Sequence, residues 1–146
     1  MAEALYNTQI LKLATSIPHQ VRLDHPHGTA ERRSPVCGSR VSVDVVLDEA
    51  GRIAELGQEV RACALGQASA SLMAAHAIGR SLAELEEARD ALAAFLAGAR
   101  DDPGPWPGLE IFAPARAHSA RHASIRLAFE AVAEAVARAA NAAQAA

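Results

Sequence analysis

Two cysteines, Cys37 and Cys63, are the residues of this 146-residue chain that are best suited to chemistry. Gly38 follows Cys37 and permits a tight turn with open access to the sulfur. Cys63 directly precedes a predicted helix, whose free backbone N–H groups favour negative charge on the sulfur. Cysteines in such positions serve as free thiols, metal ligands or redox groups, and a simple disulfide between the two is a further alternative.

An antiparallel hairpin is predicted to bring the two cysteines together. Residues 40–47 alternate between apolar and polar side chains, which is typical of a half-buried strand. Their apolar face consists of Val41, Val43, Val45 and Leu47, and Ser42 and Asp44 lie on the other face. After a turn at 48–51, a second strand carries apolar residues at even positions, namely Ala54, Leu56, Val60 and Ala62. Pairing Leu47 with Arg52 gives a residue-number sum of 99, and Cys37 with Cys63 gives 100, so the register places the cysteines nearly opposite each other.

The remaining periodic segments predict helices over 4–15, 64–79, 82–98 and 119–143. Gly79 is expected to end the second helix, and Ser81 with Glu84 forms a capping box for the third. The third helix buries Leu85, Ala88, Leu92, Phe95 and Leu96, and the last one buries Ile125, Phe129, Val132 and Val136. A short extended piece is predicted around Glu110–Phe112. A helix, a hairpin and three helices in this order predict an α+β fold, with the helices packed on one face of a small antiparallel sheet.

Composition and charge exclude several classes of protein. The length predicts a single domain over 1–146. A net charge of −3 argues against a bulk electrostatic grip on nucleic acid or on an anionic membrane. No stretch reaches the roughly 20 apolar residues that span a bilayer, and the first residues lack the pattern of a signal peptide, so we expect a cytoplasmic protein.

Two segments resemble a known family. Residues 34–38 read Ser-Pro-Val-Cys-Gly, and residues 62–71 read Ala-Cys-Ala-Leu-Gly-Gln-Ala-Ser-Ala-Ser. Both are similar to the U-type iron–sulfur cluster scaffold family (IscU/SufU/NifU N-terminal type), and the resemblance extends over about residues 5–136. The helix at 82–98 and the proline-rich loop after it occupy the place of an insertion in the SufU subgroup, which is the closest match. The resemblance implies a three-stranded antiparallel sheet with four to five helices, so a third strand is expected within 22–36.

The same resemblance implies a ligand set that this chain only partly retains. Family members hold an iron–sulfur cluster, or zinc in SufU-type proteins, with three cysteines and an aspartate. Cys37 and Cys63 match two of the cysteines, whereas Ser39 stands at the aspartate position. Ser124 stands at the third cysteine position when Leu-Ala-Phe at 127–129 is matched to the family, and matching Pro-Ala-Arg at 114–116 would select Ser119 instead. We prefer Ser124, because it fits the helical phase and the SufU-type spacing.

Histidines could replace the missing ligands. His122 lies two residues before Ser124, and His118 lies one helical turn before His122, so the two could share a helix face. A site built from Cys37, Cys63 and His122, with or without His118, is chemically reasonable for zinc or a [2Fe–2S] cluster. Solvated histidines at a helix start are the alternative.

Three functions follow from these residues. The first is a scaffold-like protein of iron–sulfur cluster assembly that is not itself an enzyme. It binds a [2Fe–2S] cluster, iron or zinc, or accepts sulfur from a cysteine desulfurase, through Cys37 and Cys63, with His122, Ser124 and Ser39 completing the site. Its partners would be the desulfurase and recipient apo-proteins, and it would act as a monomer or homodimer.

The second function is that of a degenerate member without metal, acting as a partner-binding or regulatory module. The third is a thiol redox protein that cycles a Cys37–Cys63 disulfide.

Overall fold

The computed structural model describes residues 5–35 and 38–145. Within these ranges the chain forms an α+β fold, as expected, with a three-stranded antiparallel sheet and helices on one face. Its helices and strands are α1 (Thr8–Ala14), β1 (Gly28–Arg33), β2 (Arg40–Leu47), β3 (Ile53–Arg61), α2 (Ala64–His76), α3 (Leu82–Leu96) and α4 (His122–Ala145). Two 3₁₀ helices, Leu109–Ala117 and Ser119–Arg121, connect α3 to α4. Strand β1 is the third strand that was expected within 22–36.

The hairpin of β2 and β3 has a different register from the predicted one. Val41 pairs with Val60, which gives a sum of 101 rather than 99. A register shift between Val46 and Leu47 lowers the sum to 100 near the turn, where Leu47 opposes Ile53 and Ala54 is the extra residue of β3. This bulge also changes which β3 residues face the core, so Ile53 is buried and Ala54 is exposed, contrary to prediction.

Strand β2 is the central strand of the sheet and is buried on both faces, not on one. Val41, Val43 and Val45 face the helices as predicted. On the other face, Asp44 is only 1% exposed, because it contacts Arg22 and Leu23 of the irregular segment 18–24, which we call the strap. The Arg22 guanidinium donates two hydrogen bonds to the Asp44 carboxylate at 2.7 and 2.9 Å, and the Leu23 N–H donates a third.

The helices form one layer against the sheet. Helix α4 packs on β1 and β2, α2 and α3 pack on α4, and α1 packs on α2. The predicted core stripes of α3 and α4 are buried, and the capping box of Ser81 and Glu84 is present. Across the described ranges, no helix has both the length and the apolar character needed to cross a bilayer.

Several helix boundaries differ from prediction. Helix α1 begins at Thr8, where the Asn7 side chain caps it, and α2 ends at His76. Gly79 instead adopts a positive φ of 88° in the turn that follows, where its N–H bonds the Ile53 carbonyl. The piece at 110–112 lies in a 3₁₀ helix rather than an extended segment, and the last α-helix begins three residues later than predicted.

Candidate functional site

Cys63 lies at the junction between β3 and α2, where it is the N-cap residue of the helix. Its backbone is extended, with φ of −65° and ψ of 170°, and its side chain makes no capping hydrogen bond. The residue is a half-buried free thiol. Its Sγ lies 3.2 Å from the hydroxyl oxygen of Ser124, so the sulfur already has a hydrogen-bond partner on another element.

Ser124 and Ser39 continue this contact into the protein. Ser124 lies in the first turn of α4, and its hydroxyl donates to the Ser39 Oγ at 3.3 Å. Ser39 directly precedes β2, and both serines are buried. Three separate parts of the fold therefore meet in one chain of contacts, which we call the hydroxyl–thiol cluster: Cys63, Ser124 and Ser39. Ser119, the alternative to Ser124, is exposed in the 3₁₀ helix before α4.

Close packing of α2 against the start of α4 holds the cluster together. A Cβ atom on Gly66 would lie 2.6 Å from the Ser124 hydroxyl oxygen and 2.8 Å from the Ala62 Cβ. Only glycine therefore allows the two helices to approach at this point. One turn further along α2, the buried Ser69 hydroxyl donates to the Ile125 carbonyl, which fixes the same contact by a hydrogen bond.

Cys37 lies outside the described residues, so its predicted proximity to Cys63 stays a prediction. The residues on either side of it are described. Ser34 donates its N–H to the Ser39 carbonyl at 2.8 Å, and Gly38 donates its N–H to the Ser34 carbonyl at 3.2 Å. Gly38 has a φ of 72°, a conformation that glycine adopts readily.

The two candidate histidines do not share a helix face. His118 is exposed between the two 3₁₀ helices, because α4 begins only at His122. The His122 Nε2 lies 2.9 Å from the Ala115 carbonyl, which can only accept, so this nitrogen carries the proton. Among the residues that the structure describes, no group of three or more histidines, cysteines and carboxylates is arranged to hold a metal ion.

The cluster thus combines one reactive group with two neutral ones. A half-buried thiol can attack or be attacked at sulfur, whereas serine hydroxyls are weak ligands for iron and zinc.

Other chemistry-bearing side chains lie outside the cluster. The segment that contains His25 and His27 is exposed, and the His27 Nδ1 accepts the Leu47 N–H. Trp106 is buried and donates its Nε1–H to the Leu72 carbonyl, which gives it a structural role.

Comparisons with known proteins agree with the fold. A family model described as the NifU-like N terminal domain matches residues 5–105. The crystal structure of a NifU-like protein (N-terminal) from Brucella abortus is 37% identical, with a TM-score of 0.84, covering 94% of this chain and 95% of that one. A protein from Fervidobacterium islandicum AW-1, described as an iron–sulfur cluster assembly scaffold for the SUF system, is 20% identical, with a TM-score of 0.83, covering 90% of this chain and 96% of that one. A search of curated proteins gave no match.

Proposed function

This chain belongs to the family of NifU-like N-terminal domains, and on that premise we propose that it works in iron–sulfur cluster assembly as a sulfur acceptor at Cys63. The observation that carries the proposal is the hydroxyl–thiol cluster, in which the Cys63 Sγ lies 3.2 Å from Ser124 at the junction of three elements. Cys63 is partly exposed, and the proposal requires a partner to reach its sulfur.

Sulfur acceptance needs only one thiol. A cysteine desulfurase carries sulfane sulfur as a persulfide on its own cysteine. The Cys63 sulfur attacks the outer sulfur of that persulfide, the S–S bond of the donor breaks, and the donor cysteine leaves as a thiol. Cys63 becomes a persulfide, and no external oxidant or reductant is consumed. Recipient apo-proteins, or a scaffold that serves them, would take the sulfur in the reverse manner.

A cluster or metal as cargo would need more donors than the described residues supply. Ser39 and Ser124 offer neutral hydroxyls, and His122, whose Nε2–H bonds the Ala115 carbonyl, could offer only its Nδ1. Cys37, two residues before Ser39 in the chain, would add the second thiolate. Carriage of a [2Fe–2S] cluster, iron or zinc by Cys37 and Cys63, with His122, Ser124 and Ser39 around them, is therefore the second form of the proposal. The donor chemistry favours the sulfur acceptor.

The wider setting of the proposal follows from the family. The chain would act in the cytoplasm as a single domain over 1–146, alone or as a homodimer, and would catalyse no reaction by itself. Its partners would be a cysteine desulfurase and recipient apo-proteins.

One observation favours a different function, that of a metal-free partner-binding or regulatory module. The Ser124 hydroxyl donates to Ser39 in a buried contact, so these two hydroxyls have hydrogen-bond partners within the protein and need no cargo to supply one. Such a protein would bind the desulfurase and accept nothing from it.

Alanine release by a cysteine desulfurase separates these functions. Without reductant, the desulfurase stops after charging its own cysteine, and a sulfur acceptor lets it turn over again. We expect excess native chain to restore alanine release in proportion to its concentration, Cys63→Ala to abolish this effect, and Ser119→Ala to retain it. No stimulation by the native chain would contradict sulfur acceptance.

Anaerobic reconstitution with iron and sulfide, followed by iron, zinc and sulfide analysis per chain, tests the cargo form. Stoichiometric metal that is lost in both Cys37→Ala and Cys63→Ala would support it.

A further inference from the structure

The three segments that meet at the hydroxyl–thiol cluster contain no acidic residue. Residues 32–43, 60–83 and 111–129 have no Asp or Glu, although the chain has 17 acidic residues and a net charge of −3. The same segments contain eight of the 13 arginines. The charge of the chain is therefore distributed unevenly, with the acidic residues excluded from the segments that build the site.

Three of these arginines form a row across the end of the sheet. Arg33 pairs with Arg40, and Arg40 pairs with Arg61. Directly opposed residues of neighbouring strands project from the same face, and like charges in that arrangement destabilise a sheet. The row lies on the face opposite the helices, because Val41, the next residue of β2, faces them. Like charges thus oppose one another, at a cost in stability, at the end of the sheet that leads into the site.

The row is adjacent to the cluster by chain geometry. Arg40 follows Ser39 directly, and Arg61 precedes Cys63 by two residues, a span of about 7 Å at most. Arg121 adds a fourth guanidinium at the end of the second 3₁₀ helix, three residues before Ser124, which is a chain span of about 11 Å at most. We call these four residues, Arg33, Arg40, Arg61 and Arg121, the arginine rim.

Nearby carboxylates neutralise only part of the rim. Glu31 lies 2.9 Å from Arg33 and 3.8 Å from Arg40, and Glu59 lies 3.7 Å from Arg40. The side chains of Arg61 and Arg121 are exposed and have no ion pair with any residue in the described part of the chain. Two exposed guanidinium groups, two residues from Cys63 and three residues from Ser124 along the chain, are therefore available to an incoming anion.

We infer that the arginine rim is the docking surface for an acidic segment beside the sulfur-donating cysteine of the partner protein. The inference rests on the proposed function and specifies the surface that the donor must present. Guanidinium groups bind carboxylates in bidentate hydrogen-bonded pairs, so acidic side chains complement the rim. The negative charge of the rest of the chain repels an acidic partner elsewhere, and this asymmetry orients the donor towards Cys63. The net charge of −3 on the whole chain also opposes the binding of nucleic acid.

A pair of alkylating peptides tests the surface independently of sulfur transfer. One peptide carries an iodoacetyl group beside a run of glutamates, and the other has glutamines in their place. Peptide mapping of the full chain then gives the rate of alkylation at Cys63 for each peptide. We expect the glutamate peptide to react roughly tenfold faster at low ionic strength, and the ratio to approach one at about 0.5 M salt.

Variants with reversed charges test whether the arginine rim causes the preference for the glutamate peptide. Arg61→Glu with Arg121→Glu should invert the preference for the glutamate peptide. The control, Lys12→Glu with Arg100→Glu, makes the same change of charge outside the three segments and should preserve the preference. A ratio near one in the native chain, or an equal loss in the control, would overturn the inference. A complex with an RNA oligonucleotide that depends on Arg61 and Arg121 would assign the surface to nucleic acid and would overturn it as well. Failure of sulfur transfer with the peptide preference intact would instead count against the proposed function alone.

Discussion

At the scale of single residues, the two serines of the cluster limit the cargo that we propose for Cys63. Their hydroxyls are neutral, and each forms a hydrogen bond within a buried contact. Both occupy positions where the family resemblance implies stronger ligands, an aspartate at 39 and a cysteine at 124. The two hydroxyls thus lie where the resemblance implies charged donors, and neither serine supplies one.

Restoring those donors should create metal affinity. We expect the double variant Ser39→Asp/Ser124→Cys to bind zinc more than about 100-fold more tightly than the native chain, because charged ligands replace neutral hydroxyls. Competition with a chromophoric zinc chelator measures the change. The matched variant Ser39→Asp/Ser119→Cys adds the same groups but puts the thiol at the exposed Ser119, so it should gain much less. Equal gains in the two variants would contradict the assignment of Ser124.

The close packing of α2 against α4 at Gly66 should be sensitive to an added methyl group. Gly66→Ala forces a methyl group to within 2.6 Å of the Ser124 hydroxyl oxygen, so α2 and α4 must separate. We expect a loss of about 1–3 kcal/mol in the free energy of unfolding, measured by urea denaturation. Gln67→Ala, on the next and less buried position of α2, should change it by less than about 0.5 kcal/mol. A neutral Gly66→Ala would show that the two helices are not packed this closely.

At the scale of the elements, the Asp44 carboxylate holds the strap on the outer face of β2. Burial raises the pKa of Asp44, but hydrogen bonds from Arg22, Thr29 and the Leu23 N–H more than offset this, so the pKa lies below its ordinary value. A carboxylate with a lowered pKa stabilises the fold above its unfolded-state pKa, and this contribution is lost as the pH falls through the folded-state pKa. The contacts between the strap and Asp44 should therefore weaken in acid.

Asp44→Asn tests the strap. We expect it to cost about 2 kcal/mol of unfolding free energy at pH 7, because the buried position loses its charge-assisted hydrogen bonds. The difference from the native chain should shrink as the pH falls below 3.8, the ordinary pKa of the group. Urea denaturation over a pH series measures both effects. Asp24→Asn, at the exposed end of the strap, should show neither, and a difference independent of pH would contradict the role of the charge.

Glu84 joins α3 to the β2–β3 turn. The Ser81 N–H, the Arg52 guanidinium and the Ser81 hydroxyl bind its carboxylate and lower its pKa to about 2. Glu84→Gln should therefore lower the melting temperature at neutral pH, and the difference should narrow as the pH falls from 4.5 towards 2. Differential scanning calorimetry measures it, with the exposed Glu87→Gln as the control. A constant difference across this pH range would contradict the assignment.

At the scale of the whole molecule, the local patterns predict most of the elements and few of their contacts. Alternation at 40–47 and the Ser81–Glu84 capping box identify β2 and α3, because those signals are local. The hairpin register could not be predicted, since the bulge at Val46 adds one residue that no hydrophobic pattern encodes. Burial of Asp44 also escaped prediction, because the strap that covers it looks like an ordinary loop.

The site itself depends on contacts between residues far apart in sequence. Cys63 and Ser124 are separated by 61 residues, so only the resemblance to a family could pair them in advance. The arginine rim was missed, although the absence of acidic residues from three segments was a visible signal. Its meaning depends on the topology that brings those segments together.

One measurement tests the central claim, sulfur acceptance at Cys63, most directly. The native chain is incubated anaerobically with a cysteine desulfurase and L-cysteine, and its mass is determined before and after treatment with a thiol reductant. The account predicts one added sulfur atom that the reductant removes, located at Cys63 by fragmentation, retained in Ser119→Ala and absent in Cys63→Ala. An unchanged mass in the native chain, or an added sulfur that persists in Cys63→Ala, would contradict it.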